Sequence, residues 1–172
     1  MKDNSKINKL TKVLFVIYLI AVFWIIVFKF NLPFSELGYM RSINLIPFNG
    51  SLTIVNSRID FREIIMNVAI FMPLGIYSGV LFKKWTIGKK IFLFFLISLI
   101  CEIFQFALGV GASDITDVIN NTIGGIIGLV IYIGIEKISG NSIKAQKFIN
   151  IIATIGTILM ISLLSVLVVY NL

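Results

Sequence analysis

The sequence contains no histidine and a single cysteine, Cys101. Without imidazole there is no Ser-His-Asp or Cys-His nucleophile pair, no His-ligated zinc and no imidazole proton relay. One thiol cannot build a disulfide framework or a thiolate metal cage. Cys101 lies inside an apolar run, where its plain role is that of a small buried side chain. No metal or cofactor is therefore expected. A phosphate-cradling glycine loop with Lys and Ser/Thr is absent, and so is Gly-x-Ser-x-Gly. Acid–base chemistry would fall to carboxylates, Lys, Tyr or water. Charge is scarce as well, at 13% of 172 residues, where a soluble domain carries roughly a quarter.

What fills the chain instead is hydrocarbon. Hydrophobic residues make up 58%, and the mean hydropathy is +1.01. Disorder is excluded, because it needs low hydrophobicity and high net charge. A short soluble domain is disfavoured, because it would have too much surface to cover with so few polar side chains. Five apolar stretches stand out: 13–28, 64–82, 91–108, 118–135 and 149–170. Of 15 basic and 8 acidic residues, only Glu102 falls inside them. About 20 apolar residues cross the hydrocarbon core of a bilayer. The expected fold is an all-α polytopic membrane domain of five transmembrane helices over residues 1–172. The first stretch is longer than a signal-peptide core, and no small-x-small site follows it in Lys29–Pro33, so an uncleaved span is expected.

The basic residues orient these spans. Lys and Arg concentrate in the N-terminal tail (Lys2, Lys6, Lys9, Lys12), the second loop (Lys83, Lys84, Lys89, Lys90) and the fourth (Lys137, Lys144, Lys147). The first loop has four spread over a long segment, and the third loop and the C-terminal stub have none. The positive-inside rule puts the N-terminus in the cytoplasm and the C-terminus outside. The net charge of +7 is then a topology signal and a contact for anionic lipid heads, and no nucleic-acid partner is expected. The first span, rich in Tyr18, Phe23, Trp24 and Phe28, suits interfacial anchoring, and the last reads as lipid-facing ballast. No internal repeat supports an inverted-repeat transporter.

Polar residues converge on the expected outer side. Arg58 and Arg62 are four apart and would share a helix face. Counted at 1.5 Å per residue, Asn67, Gln105 and Asn121 each lie a few Å inside the outer edge, forming one polar layer. Glu102 is about 16 Å from the cytoplasmic edge, beneath that layer, while Arg58, Arg62, Asp114 and Asp117 lie above it. Asp114, Asp117, Asn121, Gly124 and Gly128 form one helical stripe, polar at the top and bare below. Each feature also has a plainer reading. Asp114 or Ser113 suits capping of the fourth helix, with Asp117 near its positive end. Gly124-x-x-x-Gly128 suits close helix packing, within the chain or in a homo-oligomer. The asparagines suit interhelical hydrogen bonding. Glu102 stands apart, because an ionisable group at that depth is costly and marks function by default. Its expected partners are Arg62, Arg58 or Gln105. Pro73, near mid-membrane, favours a kink and frees a backbone carbonyl. The apolar segment Asn44-Leu45-Ile46-Pro47-Phe48 is expected to pack on the outer interface or to lid the polar cluster.

At these residues the chain resembles the VanZ-like family, named for a teicoplanin-resistance protein. The resemblance runs over about 44–131. Asn44-Leu45-Ile46-Pro47-Phe48 resembles the family's first-loop signature, and Asn67 with Phe71-Met72-Pro73-Leu74-Gly75 its second-span signature. Glu102 and Gln105 match its Glu-x-x-Gln. Asp114, Asp117, Asn121, Gly124 and Gly128 match its Asp-x-x-Asp-x-x-x-Asn-x-x-Gly-x-x-x-Gly. The family often carries Arg just before the first Asp of that motif. Here Ala112-Ser113 stand there, which removes a local Arg–Asp pair. The resemblance implies low-level resistance to teicoplanin and related lipid-tailed glycopeptides without alteration of the cell-wall precursor, in a bacterial plasma membrane.

Three functions fit these residues. The first is a non-enzymatic membrane factor. Its outward polar site, built on Glu102, Gln105, Asp117, Asn121, Asp114, Asn67, Arg62 and Arg58, would bind a lipid-linked cell-wall precursor or the lipoglycopeptide's anchor. The second is an intramembrane enzyme acting on a lipid-linked phosphate or sugar, with Glu102, Asp114 and Asp117 in acid–base roles and Arg58 and Arg62 stabilising charge. The catalytic residues of such an enzyme are not specified by any motif. The third is a small transporter or flippase, dimeric through Gly124 and Gly128.

Overall fold

The structure, a computed structural model, describes residues 2–28, 40–48, 53–55 and 58–170. Five long helices carry it: α1 (Lys2–Phe28), α2 (Arg62–Leu81), α3 (Ile87–Leu108), α4 (Ile115–Ser139) and α5 (Ser142–Tyr170). Each contains a segment long and apolar enough to cross a membrane. The five-helix membrane fold expected from hydropathy is the fold found. Helix bounds exceed the apolar stretches where amphipathic turns add on: α1 begins in the lysine-bearing tail, and α5 begins at Ser142, only a Gly140-Asn141 turn after α4.

Four short strands were not foreshadowed. β1 (Met40–Asn44) runs parallel to β4 (Val110–Asp114), with Asn44 opposite Asp114. β2 (Thr53–Val55) and β3 (Arg58–Asp60) form an antiparallel ribbon just before α2. The β1/β4 pair brings the first and third loops together at one end of the bundle, the strand end. Lys12, Lys83 and Lys84 meet around one cavity at the other, the basic end.

The core of the bundle is the α2/α4 pair, whose backbones approach because glycine lines the contact. A Cβ on Gly128 would overlap the Met72 carbonyl, one on Gly124 the Val68 carbonyl, and one on Gly75 the Gly125 carbonyl. Small residues permit such approach in lipid, where dispersion and backbone proximity replace the hydrophobic effect as the drive for helix association. Of the two packing readings of Gly124-x-x-x-Gly128, contact within the chain is the one seen. The Gly124/Gly128 face is filled by α2 of the same chain. Phe94 of α3 packs on Gly125, and Phe71, Leu74 and Phe94 are fully buried. Pro73 lies inside α2. Its missing N–H frees the Ala69 carbonyl, and the Tyr18 hydroxyl of α1 donates to the adjoining Ile70 carbonyl at 2.7 Å.

α5 is more than ballast. Asn150 Oδ1 accepts from the Thr11 hydroxyl at 2.9 Å, and Gln146 Nε2 donates to Thr11 Oγ1 and Asn8 Oδ1 at 2.7 and 2.9 Å. Thr11, Gln146 and Asn150 are buried, so a polar zipper docks α5 on α1 near the basic end. Toward its C-terminus α5 exposes Ile158, Leu159, Ile161, Leu163 and Val166, a surface suited to lipid.

Candidate functional site

The strand end is built by a reversal at Gly109. α3 ends there in a left-handed conformation (φ 64°), which glycine adopts without penalty, and the Gly109 N–H closes back on the last turn. The chain then descends as β4 alongside the helix it has just left. α4 therefore begins well below the top of α3. Asp114, its N-cap, reaches the level of Glu102, six residues or about 9 Å below Leu108. There the Asp114 N–H donates to Glu102 Oε2 at 3.0 Å. Glu102 is 2% exposed. A carboxylate in such a place is tolerable only if it is hydrogen-bonded. The α4 N-terminus supplies both an N–H donor and the positive end of a helix dipole.

Asp114 organises the rest. Its Oδ1 accepts from the Thr116 N–H at 2.7 Å, the helix cap, and its Oδ2 accepts from Asn44 Nδ2 at 3.0 Å. The Asn44 Oδ1 accepts from the Ile46 N–H at 3.2 Å, an Asx turn that starts the segment Asn44–Phe48. That segment closes over α4. The Phe48 N–H donates to the Thr116 hydroxyl at 2.9 Å, and Phe48 takes φ 61°. A non-glycine residue there costs about 1–2 kcal/mol, and the Thr116 contact helps hold it in place. Pro47 sits in this turn. The segment is thus tied to the start of α4, as a lid would be, while Leu45, Ile46 and Phe48 keep exposed apolar side chains that suit the outer interface.

One turn into α4, Asp117 Oδ1 accepts from Asn67 Nδ2 of α2 at 2.6 Å, and Asp117 is 8% exposed. Asn121, fully buried, donates through Nδ2 to Ser98 Oγ of α3 at 2.8 Å. Gln105, 1% exposed, donates to the Ile26 carbonyl at 2.7 Å. This carbonyl belongs to the last turn of α1, where carbonyls lack an intrahelical partner. Gln105 Oε1 and Asn121 Oδ1 are buried acceptors with no hydrogen-bond partner among the described residues.

Several expectations change on this geometry. Asn67, Gln105 and Asn121 do not form one layer. They make three separate contacts, with Asp117, Ile26 and Ser98. Glu102 stays one turn beneath Gln105 on α3 but is not beneath Asn121. Asn121 pairs with Ser98, one turn deeper on α3 than Glu102, because the descent of β4 starts α4 below the level that loop counting gives it. Arg58 and Arg62 share no helix face, since Arg58 lies in β3 and α2 starts at Arg62 after a break at Phe61. The Arg58 side chain lies outside the described residues, and Arg62 is exposed at the start of α2. The structure brings together Glu102, Asp114, Asp117, Asn67 and Asn44. Gln105 belongs to the α1–α3 contact, and Gly124, Gly128 and Pro73 to the scaffold.

Thr116 and Ser98 were missed. Thr116 lies within the Asp114–Asp117 motif, and a hydroxyl in the first turn of a helix was a usable signal. Nothing local marks Ser98, whose role appears only when α3 faces α4. The arrangement as a whole places the buried carboxylates Glu102 and Asp117 and the half-buried Asp114 at one end of a bundle, beside the Asn44–Phe48 turn, with Arg62 exposed at the same end. Such a site accepts hydrogen bonds from hydroxyl, amide or ammonium groups. Among the described residues no group of three or more Cys, Asp and Glu is placed to hold a metal ion.

Five membrane-long helices with this carboxylate-bearing cluster at one end define a polytopic membrane protein with a polar site in one half of its bundle. Comparison with known proteins makes the class specific: residues 15–138 match the VanZ/LLP1 family, and the chain belongs to it. It is 36% identical over 157 residues to Protein VanZ of Enterococcus faecium, an alignment spanning 90% of this chain and 91% of that protein. No solved structure matches the chain.

Proposed function

We propose that this protein lowers susceptibility to teicoplanin and related lipid-tailed glycopeptides from a bacterial plasma membrane. In this reading the strand end faces outside, the orientation that the distribution of Lys and Arg favours, and its polar cluster binds a lipid-linked headgroup or the anchored drug without turnover. The carrying observation is the grouping, at one end of the bundle, of two hydrogen-bonded sets, Asn44–Asp114–Glu102 and Asn67–Asp117, drawn from β1, α2, α3, β4 and α4. Carboxylates there take the hydroxyl and amide donors of a sugar or peptide headgroup, and Arg62 at the same end takes its acidic group. Likeness to Protein VanZ over nearly the whole chain supports the general role. The test is the ratio of teicoplanin to vancomycin susceptibility in an isogenic Gram-positive host, with and without the chain. A selective fall in teicoplanin susceptibility is expected. No change in either drug sinks the reading.

The grouping of three carboxylates, two of them buried, at one end of the bundle also favours a second reading, an intramembrane enzyme acting on a lipid-linked phosphate or sugar. Turnover of a labelled lipid-linked headgroup by purified protein, lost in Asp117→Asn, would replace binding with catalysis. The transporter reading is weaker, because the glycine face on which a dimer would rest is occupied by α2.

A further inference from the structure

The basic end holds a cavity of about 520 Å³, remote from the carboxylate site and independent of the function proposed for it. Its walls come from four places: α1, the end of α2, the turn into α3 and the first turn of α5. Lys12, Lys83 and Lys84 line it, and no acidic residue does so among the described residues. The amides of Asn8 and Gln146 form part of the wall, and Gln146 is 5% exposed. Trp85, also lining the cavity, stacks on Phe82 with ring centroids 4.6 Å apart and is 42% exposed. An indole in that position belongs at the level of lipid headgroups. Lys83 Nζ donates to Ser142 Oγ, so one ammonium is held against the α5 N-terminus. That terminus adds the positive end of a helix dipole.

We propose that this cavity is a binding site for the phosphate-bearing headgroup of an anionic membrane phospholipid. Three ammonium groups and a helix N-terminus meet the phosphate, amide groups meet headgroup hydroxyls, and apolar side chains of α1, α2 and α5 line the rest beside the glycerol. The place of the cavity, at the end of five membrane-long helices and beside Trp85, selects a lipid over a soluble ligand. A uniform basic surface would attract anionic lipid without regard to which lysines carry the charge. A built pocket depends on these three.

The full-length protein carrying Trp24→Phe, which leaves Trp85 as the sole tryptophan, can be placed in nanodiscs of phosphatidylcholine and phosphatidylglycerol. Bromine is carried on the chains of one lipid or the other. Quenching of Trp85 by brominated phosphatidylglycerol should report enrichment of at least about fivefold over its bulk share. Lys12→Gln/Lys83→Gln/Lys84→Gln should reduce the enrichment to bulk, and the corresponding Arg variant should keep it. Lys9→Gln/Lys89→Gln/Lys144→Gln removes equal charge from exposed lysines that do not line the cavity, and should also keep it. Absence of enrichment in the parent, or equal loss in both Gln triples, overturns the proposal. Its abolition by millimolar glycerol phosphate at constant ionic strength also overturns it, assigning the cavity to a soluble phosphate ester.

Discussion

Glu102 separates charge from hydrogen bonding, because only one of its two roles needs ionisation. The Asp114 N–H needs an acceptor, which a glutamine oxygen can supply. Glu102→Gln should therefore keep the thermal midpoint in detergent within a few degrees of the parent while restoring teicoplanin susceptibility to that of the empty host. Glu102→Ala should lose both, since it orphans a buried N–H at a cost of about 1–3 kcal/mol. If Glu102→Gln protects fully, the charge has no part in function. Asn44 is bifunctional in another way: its oxygen shapes the lid turn and its amide grips Asp114. Asn44→Ala should cost about 1–2 kcal/mol. Asn44→Asp should cost more, because it sets a carboxylate against a carboxylate. The order of the two midpoints in a thermal melt decides this. At this scale the sequence was informative about which residues matter and poor about whom they meet. Asp114 was legible as a cap because a cap is local. Gln105 was read as part of the polar site, yet it serves a carbonyl of α1, a partner far away in sequence.

Between elements, glycine sets the spacing. Gly128→Ala pushes a methyl into the Met72 carbonyl and should destabilise by about 1–3 kcal/mol, the ordinary cost of overpacking. Gly134, in the same helix, faces open space, and Gly134→Ala should be neutral or stabilising by up to about 1 kcal/mol. Unfolding of the two variants side by side in one detergent checks the contrast. Helices were legible here because a membrane span announces itself by length and apolarity, and the five found are the five expected. The strands were not. β1 and β4 are short, and they pair across roughly seventy residues of intervening chain, so neither carries a local signal. Missing β4 displaced every depth assigned to α4. Counting down from the end of α3 assumes that the next helix starts where the last one stopped, and here the chain falls about 9 Å before it does. The α5 zipper was overlooked for a related reason. Asn150 among isoleucines reads as an isolated polar residue until Thr11 stands beside it.

For the whole molecule, the open quantity is which end faces outward. Cys101 is buried, which makes the native chain a quiet background for thiol labelling. Ser42→Cys, at the strand end, should react with an impermeant maleimide on intact cells. Asn141→Cys, in the turn between α4 and α5, should react only after permeabilisation. The reverse pattern would turn the site toward the cytoplasm and remove the surface-drug reading. The β1/β4 pair also carries a consequence for biogenesis. Asn44 emerges from the ribosome long before Asp114 and Thr116, the residues it and its neighbour Phe48 hold. Two complete spans, α2 and α3, must be placed in the bilayer before the lid has anything to close upon. Until then the first loop waits with its clamp unmade, and the buried carboxylates are shielded only once the fourth helix arrives. The lid is thus a late latch: it cannot shut until the fourth span arrives, and its shutting is a sign that four of the five spans have gone in the right way round.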